Sequence, residues 1–285
     1  MTPFGDRLSA AVAARGPLVV GIDPHPPLLA SWGLSADVAG LERFALTVVD
    51  ALGDGVAAYK PQSAFFERFG SRGIAVLERL LAAVRDTGAL SVLDVKRGDI
   101  GSTTAGYADA YLHPDSPLAA DAMTASPFLG YGSLRPLLAA AAEHGRGVFV
   151  LALTSNPEGA AVQRAVGPDG RTVAQAVLDA AAADNAASGR PLGSVGVVVG
   201  ATVRDHGHRL DHLRGPILAP GLGAQGAGAA DLPAVFGAAL PLVLPAVSRE
   251  VLAAGPDRVA LRTAAQRLSA DVHTVRAPAV TGTGR

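Results

Sequence analysis

The residues best suited to chemistry lie in one stretch, 90–104. A short apolar run, Leu90 to Leu93, reads as a buried strand and stops abruptly at Asp94, Lys96, Arg97 and Asp99. Residues two apart in a strand point to the same face, which puts Asp94 and Lys96 on one side of its end. Gly98 and Gly101 let the backbone turn toward the helix expected next. Two carboxylates and an ammonium are thereby gathered at the carboxyl end of one strand, an arrangement suited to placing charge and moving protons.

The use of lysine sharpens this reading. Of 24 Lys and Arg residues only Lys60 and Lys96 are lysine. An arginine is effectively never deprotonated, whereas a lysine is a compact point charge that can be tuned to give up a proton. A chain that uses arginine at every other basic position, yet keeps lysine at two strand ends, points to chemistry that requires an ammonium.

A second group points to an anion. The loop Pro220-Gly221-Leu222-Gly223-Ala224-Gln225-Gly226 bares backbone N–H groups and carries an amide side chain where a helix is expected to begin. One strand later, Ser248 and Arg249 offer a hydroxyl and a guanidinium. Together they suit a phosphate, gripped by Gln225 and Arg249.

The elements that must position these groups follow an alternating pattern. Apolar strands are expected at 17–23, 56–60, 90–93, 119–124, 147–153, 195–199, 217–219 and 242–244. Helical stretches are expected after an amphipathic N-terminal helix at 35–52, 63–85, 103–112, 134–142, 173–187 and 257–275. Eight such units without a composition break predict an α/β fold, a single-domain (β/α)8 barrel over residues 1–276, with 277–285 as a disordered Gly/Thr/Pro tail. A doubly wound open sheet is the alternative, but the Gly-rich fingerprint expected after its first strand is replaced by Gly21-Ile-Asp23-Pro-His25. In a barrel, functional residues lie at the carboxyl ends of strands. Asp23, Lys60, Asp94, Lys96, Thr124, Ser155 and Arg249 all fall there.

Composition narrows the function classes. With 285 residues, 49% hydrophobic and 17% charged, the chain can bury a large core. A net charge of −1 argues against a nucleic-acid binder driven by general electrostatics. The absence of cysteine removes disulfides, thiolate metal sites and thiol nucleophiles. No signal peptide is seen, and the longest apolar stretch, 232–247, is broken by Pro233, Gly237, Pro241 and Pro245, which argues against a membrane span. A cytoplasmic location is expected. The seven histidines are scattered, and His206, His208 and His212 are expected on a polar helical surface, not as metal ligands.

The run Asp94-Val-Lys96-Arg-Gly-Asp99-Ile-Gly-Ser-Thr103 resembles the signature of the orotidine 5′-phosphate decarboxylase family, in its longer bacterial subgroup. The likeness extends from Gly21-Ile-Asp-Pro-His25 to Val247-Ser-Arg249. It takes in Tyr59-Lys-Pro-Gln62, Asp121-Ala-Met-Thr-Ala-Ser-Pro-Phe-Leu-Gly130, Leu153-Thr-Ser-Asn156 and the 220–226 loop. D-x-K-x-x-D alone is shared with sister barrels that act on sugar phosphates; the full set is much more specific.

The resemblance implies decarboxylation of orotidine 5′-phosphate to UMP without metal or cofactor, the last step of de novo pyrimidine nucleotide synthesis. It implies that Lys96 protonates C6 of the ring, that Asp94 lies beside the departing carboxylate, and that Lys60 and Asp23 hold the ribose hydroxyls. It further implies that Asp99 reaches into the neighbouring site of a homodimer. Ser155 would read the pyrimidine edge, Gln225 and Arg249 would hold the phosphate, and Thr103 and Thr124 would contact substrate. Three other readings stay open on the residues alone. One is a Mg2+-dependent sugar-phosphate barrel. Another is a Schiff-base aldolase, disfavoured because flanking carboxylates favour the charged amine. The third is a non-catalytic nucleotide-binding barrel.

Overall fold

The computed structural model describes residues 1–204, 206–223 and 226–276. The expected tail at 277–285 and Gln225 lie outside the described residues. Eight parallel strands close into a barrel in sequence order: β1 (Val19–Ile22), β2 (Ala58–Pro61), β3 (Leu90–Arg97), β4 (Ala122–Ala125), β5 (Gly147–Leu153), β6 (Val195–Val199), β7 (Ile217–Pro220) and β8 (Val243–Val247). Closure runs through β1 and β8, with Val19 beside Ala246 and Val20 beside Val247.

The helices follow from apolar spacing and end signals. After α1 (Phe4–Arg15) and the short α2 (Pro26–Ser31) comes α3 (Val38–Leu52). Asp37 caps α3 by accepting the Gly40 N–H at 2.8 Å, and Leu41, Phe44, Ala45, Val48 and Leu52 form its buried stripe. The turn α4 (Ala64–Glu67) precedes α5 (Gly70–Thr87), which ends at Gly88 in the left-handed conformation. Beyond lie α6 (Gly101–Tyr111), α7 (Arg135–Glu143), α8 (Ala160–Gln163), α9 (Val173–Ala187), α10 (Leu232–Phe236), α11 (Arg249–Leu252) and α12 (Arg258–Arg276).

Alternation along the strands divides the core in two. Val20, Ile22, Leu93 and Val150 face outward to the helices, whereas Val19, Val92, Phe149 and Leu244 fill the barrel. Helix α1 closes the amino end of the barrel with Phe4 and Leu8, both buried, and Phe4 meets Phe149 edge to face at 5.9 Å. Gly147 makes this possible, because a Cβ there would stand 2.4 Å from the Phe4 ring. Asp121 braces the same end: it accepts from Ser91 N at 2.9 Å, Ser91 Oγ at 3.0 Å and Arg146 Nη1 at 3.1 Å, and pairs with Arg7 of α1. The amino end of the barrel is thus closed by packing and ion pairs, and the carboxyl ends of the strands are left for the site.

One expectation is corrected, and two other stretches carry more structure than local pattern shows. The connection after β6 is not helical: the described residues of 200–216 are irregular, with Gly207 at φ +71° and Gly215-Pro216 breaking any helix. The histidines there tie the loop down, His208 Nε2 to Thr172 Oγ1 at 2.7 Å, His206 Nε2 to the Val235 carbonyl at 3.1 Å and His212 Nε2 to Asp179 Oδ1 at 2.9 Å. The segment 157–171 contains α8, pinned to the end of β5 by Gln163, whose amide bonds Thr154 N at 2.9 Å and Thr154 Oγ1 at 2.7 Å. The proline-interrupted stretch 232–242 folds as α10 followed by a 3-10 turn. No helix among the described residues is long and apolar enough to cross a membrane.

Candidate active site

Asp94 is the hub. It sits at the carboxyl-terminal half of β3, 6% exposed, and each carboxylate oxygen takes two donors. Lys60 Nζ and Gln62 Nε2 donate to Oδ2, both at 3.0 Å. Lys96 Nζ donates to Oδ1 at 2.6 Å and Thr124 Oγ1 at 2.8 Å. The adjacent parallel strands β2, β3 and β4 each contribute from their carboxyl ends, which brings these groups together. Gln62 was not assigned a role from sequence. Its position, two residues beyond Lys60 at the end of β2, is the strand-alternation signal that would have found it.

The electrostatics separate the roles of the charged groups. Burial alone would raise the Asp94 pKa, but the Lys60 and Lys96 ammoniums outweigh it and hold this carboxyl well below the usual carboxylate range. Burial would likewise lower the Lys60 pKa, and the carboxylates of Asp94 and Asp23 reverse that and hold it above the ordinary lysine value. Asp94 is therefore a fixed anion, unsuited to taking up a proton, and Lys60 is a fixed, enclosed cation. Lys96 differs. Its side chain is 45% exposed, against 9% for Lys60, so it is the ammonium in this group that opens toward the mouth.

Lys96 also has unusual backbone geometry, with φ at +47°. The β3–β4 pairing slips here: Leu93 pairs with Met123 and Arg97 with Ala125, so four steps on β3 match two on β4. Lys96 occupies the bulge and is held by its own N–H, which donates to Thr124 Oγ1 at 2.9 Å. A left-handed, non-glycine residue is costly unless its surroundings enforce it, and such residues cluster at functional sites.

Around this hub the remaining candidates line the same rim. Asp23 follows β1 and its Oδ1 is buried without a hydrogen-bond partner, a group left for a ligand to satisfy. Ser155 follows β5 and is exposed, with its backbone beside Gly200, where a Cβ would stand 3.2 Å from Ser155 N. Asp99, half-buried, accepts the Ile100 N–H at 2.8 Å and forms no ion pair with another described residue. Thr103 is exposed on the first turn of α6. Thr124 is 1% exposed and commits its hydroxyl to Asp94 and Lys96.

At the expected phosphate end, Gly221, Gly223 and Gly226 adopt φ of +102°, +82° and +92°, a course closed to most side chains. Gly223 lies against the Glu250 side chain: a Cβ there would come within 2.2 Å of its carboxyl carbon. The loop after β7 thus abuts the segment carrying Arg249 after β8. Arg249 is exposed and its guanidinium bonds no described residue, and the Ser248 hydroxyl is buried without a partner. Among the described residues no group of three or more His, Asp or Glu side chains is placed to hold a metal ion.

The comparisons with known proteins agree with this geometry. The family model described as orotidine 5′-phosphate decarboxylase / HUMPS family matches residues 16–264. An orotidine 5′-phosphate decarboxylase of Salinispora arenicola is 68% identical over 271 residues, covering 95% of this chain and 97% of its own length. The Streptomyces coelicolor enzyme of the same name is 61% identical over 274 residues, covering 96% and 98%. Among solved structures, one from Streptomyces avermitilis, proposed to be an orotidine 5′-phosphate decarboxylase, superposes with a TM-score of 0.95 at 63% identity, covering 98% of this chain and 97% of its own. The OMP decarboxylase of Leishmania donovani superposes at 0.75 with 32% identity, covering 98% and 100%. The match over most of the barrel, at these identities, places the chain in the orotidine 5′-phosphate decarboxylase / HUMPS family.

Proposed function

We propose that this protein decarboxylates orotidine 5′-phosphate to UMP and CO2, the closing step of pyrimidine nucleotide synthesis. The observation that carries the reading is the convergence of Lys60 and Lys96, the only two lysines in the sequence, on the two oxygens of Asp94. Breaking the bond between C6 and its carboxylate leaves an electron pair in the ring plane with no adjacent carbonyl to delocalise it. An ammonium aimed at that carbon stabilises the developing charge and then delivers its proton to C6. Lys96, opening to the mouth, takes this role, and the resulting amine regains its proton from solvent. Lys60 and Asp94 keep the array charged and fixed, so little reorganisation is needed during reaction.

Asp23, with its unpartnered oxygen, suits the ribose hydroxyls. Ser155 suits the pyrimidine edge, while Arg249, with Gln225, suits the phosphate. The ultraviolet assay on orotidine 5′-phosphate in excess EDTA tests the reading: full turnover supports it, and loss of activity restored by Mg2+ favours the sugar-phosphate type of chemistry instead.

A cytoplasmic homodimer with shared sites is part of this proposal. Ile100, next to Asp99, and Phe128 and Leu129 are large apolar side chains exposed on the loops after β3 and β4. Mixing inactive Lys96→Ala and Asp99→Ala proteins should restore turnover if one subunit's Asp99 completes the other's site; no recovery would remove the shared-site part of the proposal.

A further inference from the structure

The bulge that aims Lys96 is itself anchored, by a circuit that does not enter the pocket. Arg97, next to Lys96, is not among the donors to the Asp94 carboxylate. It pairs with Glu67 at the end of α4, donates from Nη1 to the Val95 carbonyl at 3.3 Å, and lies over the Tyr107 ring of α6 at 5.8 Å. Glu67 in turn accepts the Ser63 hydroxyl at 2.6 Å. Ser63 is 2% exposed, and its N–H donates to the Asp94 carbonyl at 3.2 Å. The circuit therefore grips β3 at Asp94, at Val95 and at Arg97, on both sides of the residue held at φ +47°.

We propose that Arg97, Glu67 and Ser63 act as positioning residues for the reaction, holding the left-handed backbone of Lys96 so that its ammonium stays on target. This rests on the reading of Lys96 as the proton donor. A φ in this region persists only where surrounding contacts over-determine it. The Thr124 bond holds Lys96 from the β4 side, and the Arg97–Glu67 pair supplies the restraint from the α4 side. Removing that restraint lets the bulge relax, and the ammonium then leaves the geometry that proton delivery requires.

The test measures kcat on orotidine 5′-phosphate, the dissociation constant of UMP and thermal unfolding for Glu67→Gln, Arg97→Lys, Arg97→Ala and the double variant Glu67→Gln/Arg97→Ala. Misplacing a catalytic group by about 1 Å costs on the order of a hundredfold. A kcat loss of about ten- to a hundredfold is therefore expected for Arg97→Ala and Glu67→Gln, with UMP affinity nearly unchanged. Arg97→Lys, which keeps the charge but not the fork, should recover part of the loss. The double variant should be no worse than Arg97→Ala, because the pair acts as a unit. Wild-type kcat in both Arg97→Ala and Glu67→Gln, or parallel losses of kcat, UMP affinity and thermal stability, would overturn the proposal. If Arg97→Ala does not fold, Glu67→Gln and Ser63→Ala carry the same test. A wild-type enzyme inert on orotidine 5′-phosphate would instead remove the functional reading itself, so the two failures are distinguishable.

Discussion

The Thr124 hydroxyl accepts the backbone N–H of Lys96 at 2.9 Å while donating to Asp94 Oδ1 at 2.8 Å. One buried side chain on β4 thus sets both the backbone that carries the ammonium and the carboxylate that receives it. Thr124→Val keeps the shape and deletes both bonds, leaving the Lys96 N–H without its acceptor. The cost is about 1–3 kcal/mol of stability, and a drop in kcat larger than the rise in KM is expected. Thr124→Ser should retain most activity. Kinetics and urea unfolding on the pair of variants check this; a fully active Thr124→Val would show that the hydroxyl does not hold the site.

The left-handed backbone at Lys96 separates stability from chemistry. Lys96→Ala and Lys96→Gly both remove the ammonium, and both should turn over orotidine 5′-phosphate at a small fraction of the wild-type rate while still binding UMP. Only glycine relieves the steric cost at φ +47°. Lys96→Gly should therefore be more stable than Lys96→Ala by about 1 kcal/mol, the sign opposite to that expected in an ordinary strand. Thermal melts of the two proteins decide it, and an alanine variant that is the more stable would show that the bulge relaxes once the side chain is gone.

The hub also makes a prediction about pH. The Asp94 pKa is depressed on folding, so its contribution to stability is present above about pH 3.9, the unfolded-state value, and is lost as pH falls toward the folded one. The Lys60 pKa is raised, so its contribution is present below about pH 10.4 and is lost only as pH rises through the folded value. Between these limits the pair contributes a constant amount. Asp94→Asn leaves Lys60 enclosed without its carboxylate, and a deficit of about 3–5 kcal/mol is expected near neutrality. Urea unfolding at pH 7, 5 and 3.5 should give the same deficit at the first two and a smaller one at the third, where the wild-type carboxylate begins to lose its advantage. A deficit that grows in acid would contradict the assignment.

How much of this was legible in the sequence depended on whether local pattern or long-range contact decided the outcome. The apolar stripe of α3 and the Thr172-capped α9 followed from spacing, as did the eight strands, because parallel strands buried on both faces are apolar throughout. The meeting of Asp94 and Lys96 was foreseen from strand alternation, but the chain reaches it through a bulge that alternation does not describe. That bulge depends on Thr124, Arg97 and Glu67, from three separate elements, and no local pattern encodes it. The irregular path after β6 was missed for a related reason. Its polar residues satisfy a helical reading, yet its histidines are held by Thr172, Asp179 and the Val235 carbonyl, all remote in sequence. In 232–242, the prolines that interrupt the apolar stretch sit near the start of α10 and within a 3-10 turn, where the missing N–H is tolerated.

Arg249 gives the clearest separation of binding from chemistry. It is exposed, opens α11 just after β8, and its side chain bonds no described residue, so its guanidinium is available to a ligand and its removal should leave the fold intact. If it grips the phosphate, Arg249→Ala loses a charge-assisted hydrogen bond worth about 1.5–3 kcal/mol, and kcat/KM on orotidine 5′-phosphate falls accordingly. The same variant acting on orotidine, which lacks the phosphate, should match the wild type on that substrate, because the lost contact never formed. Binding energy from a remote group can also be used at the reacting carbon, so wild-type turnover of orotidine should be far below that of the phosphorylated substrate even at saturation. Steady-state kinetics of both proteins on both substrates complete the cycle. Equal losses on the two substrates would place Arg249 outside the phosphate site and leave the grip to the loop after β7.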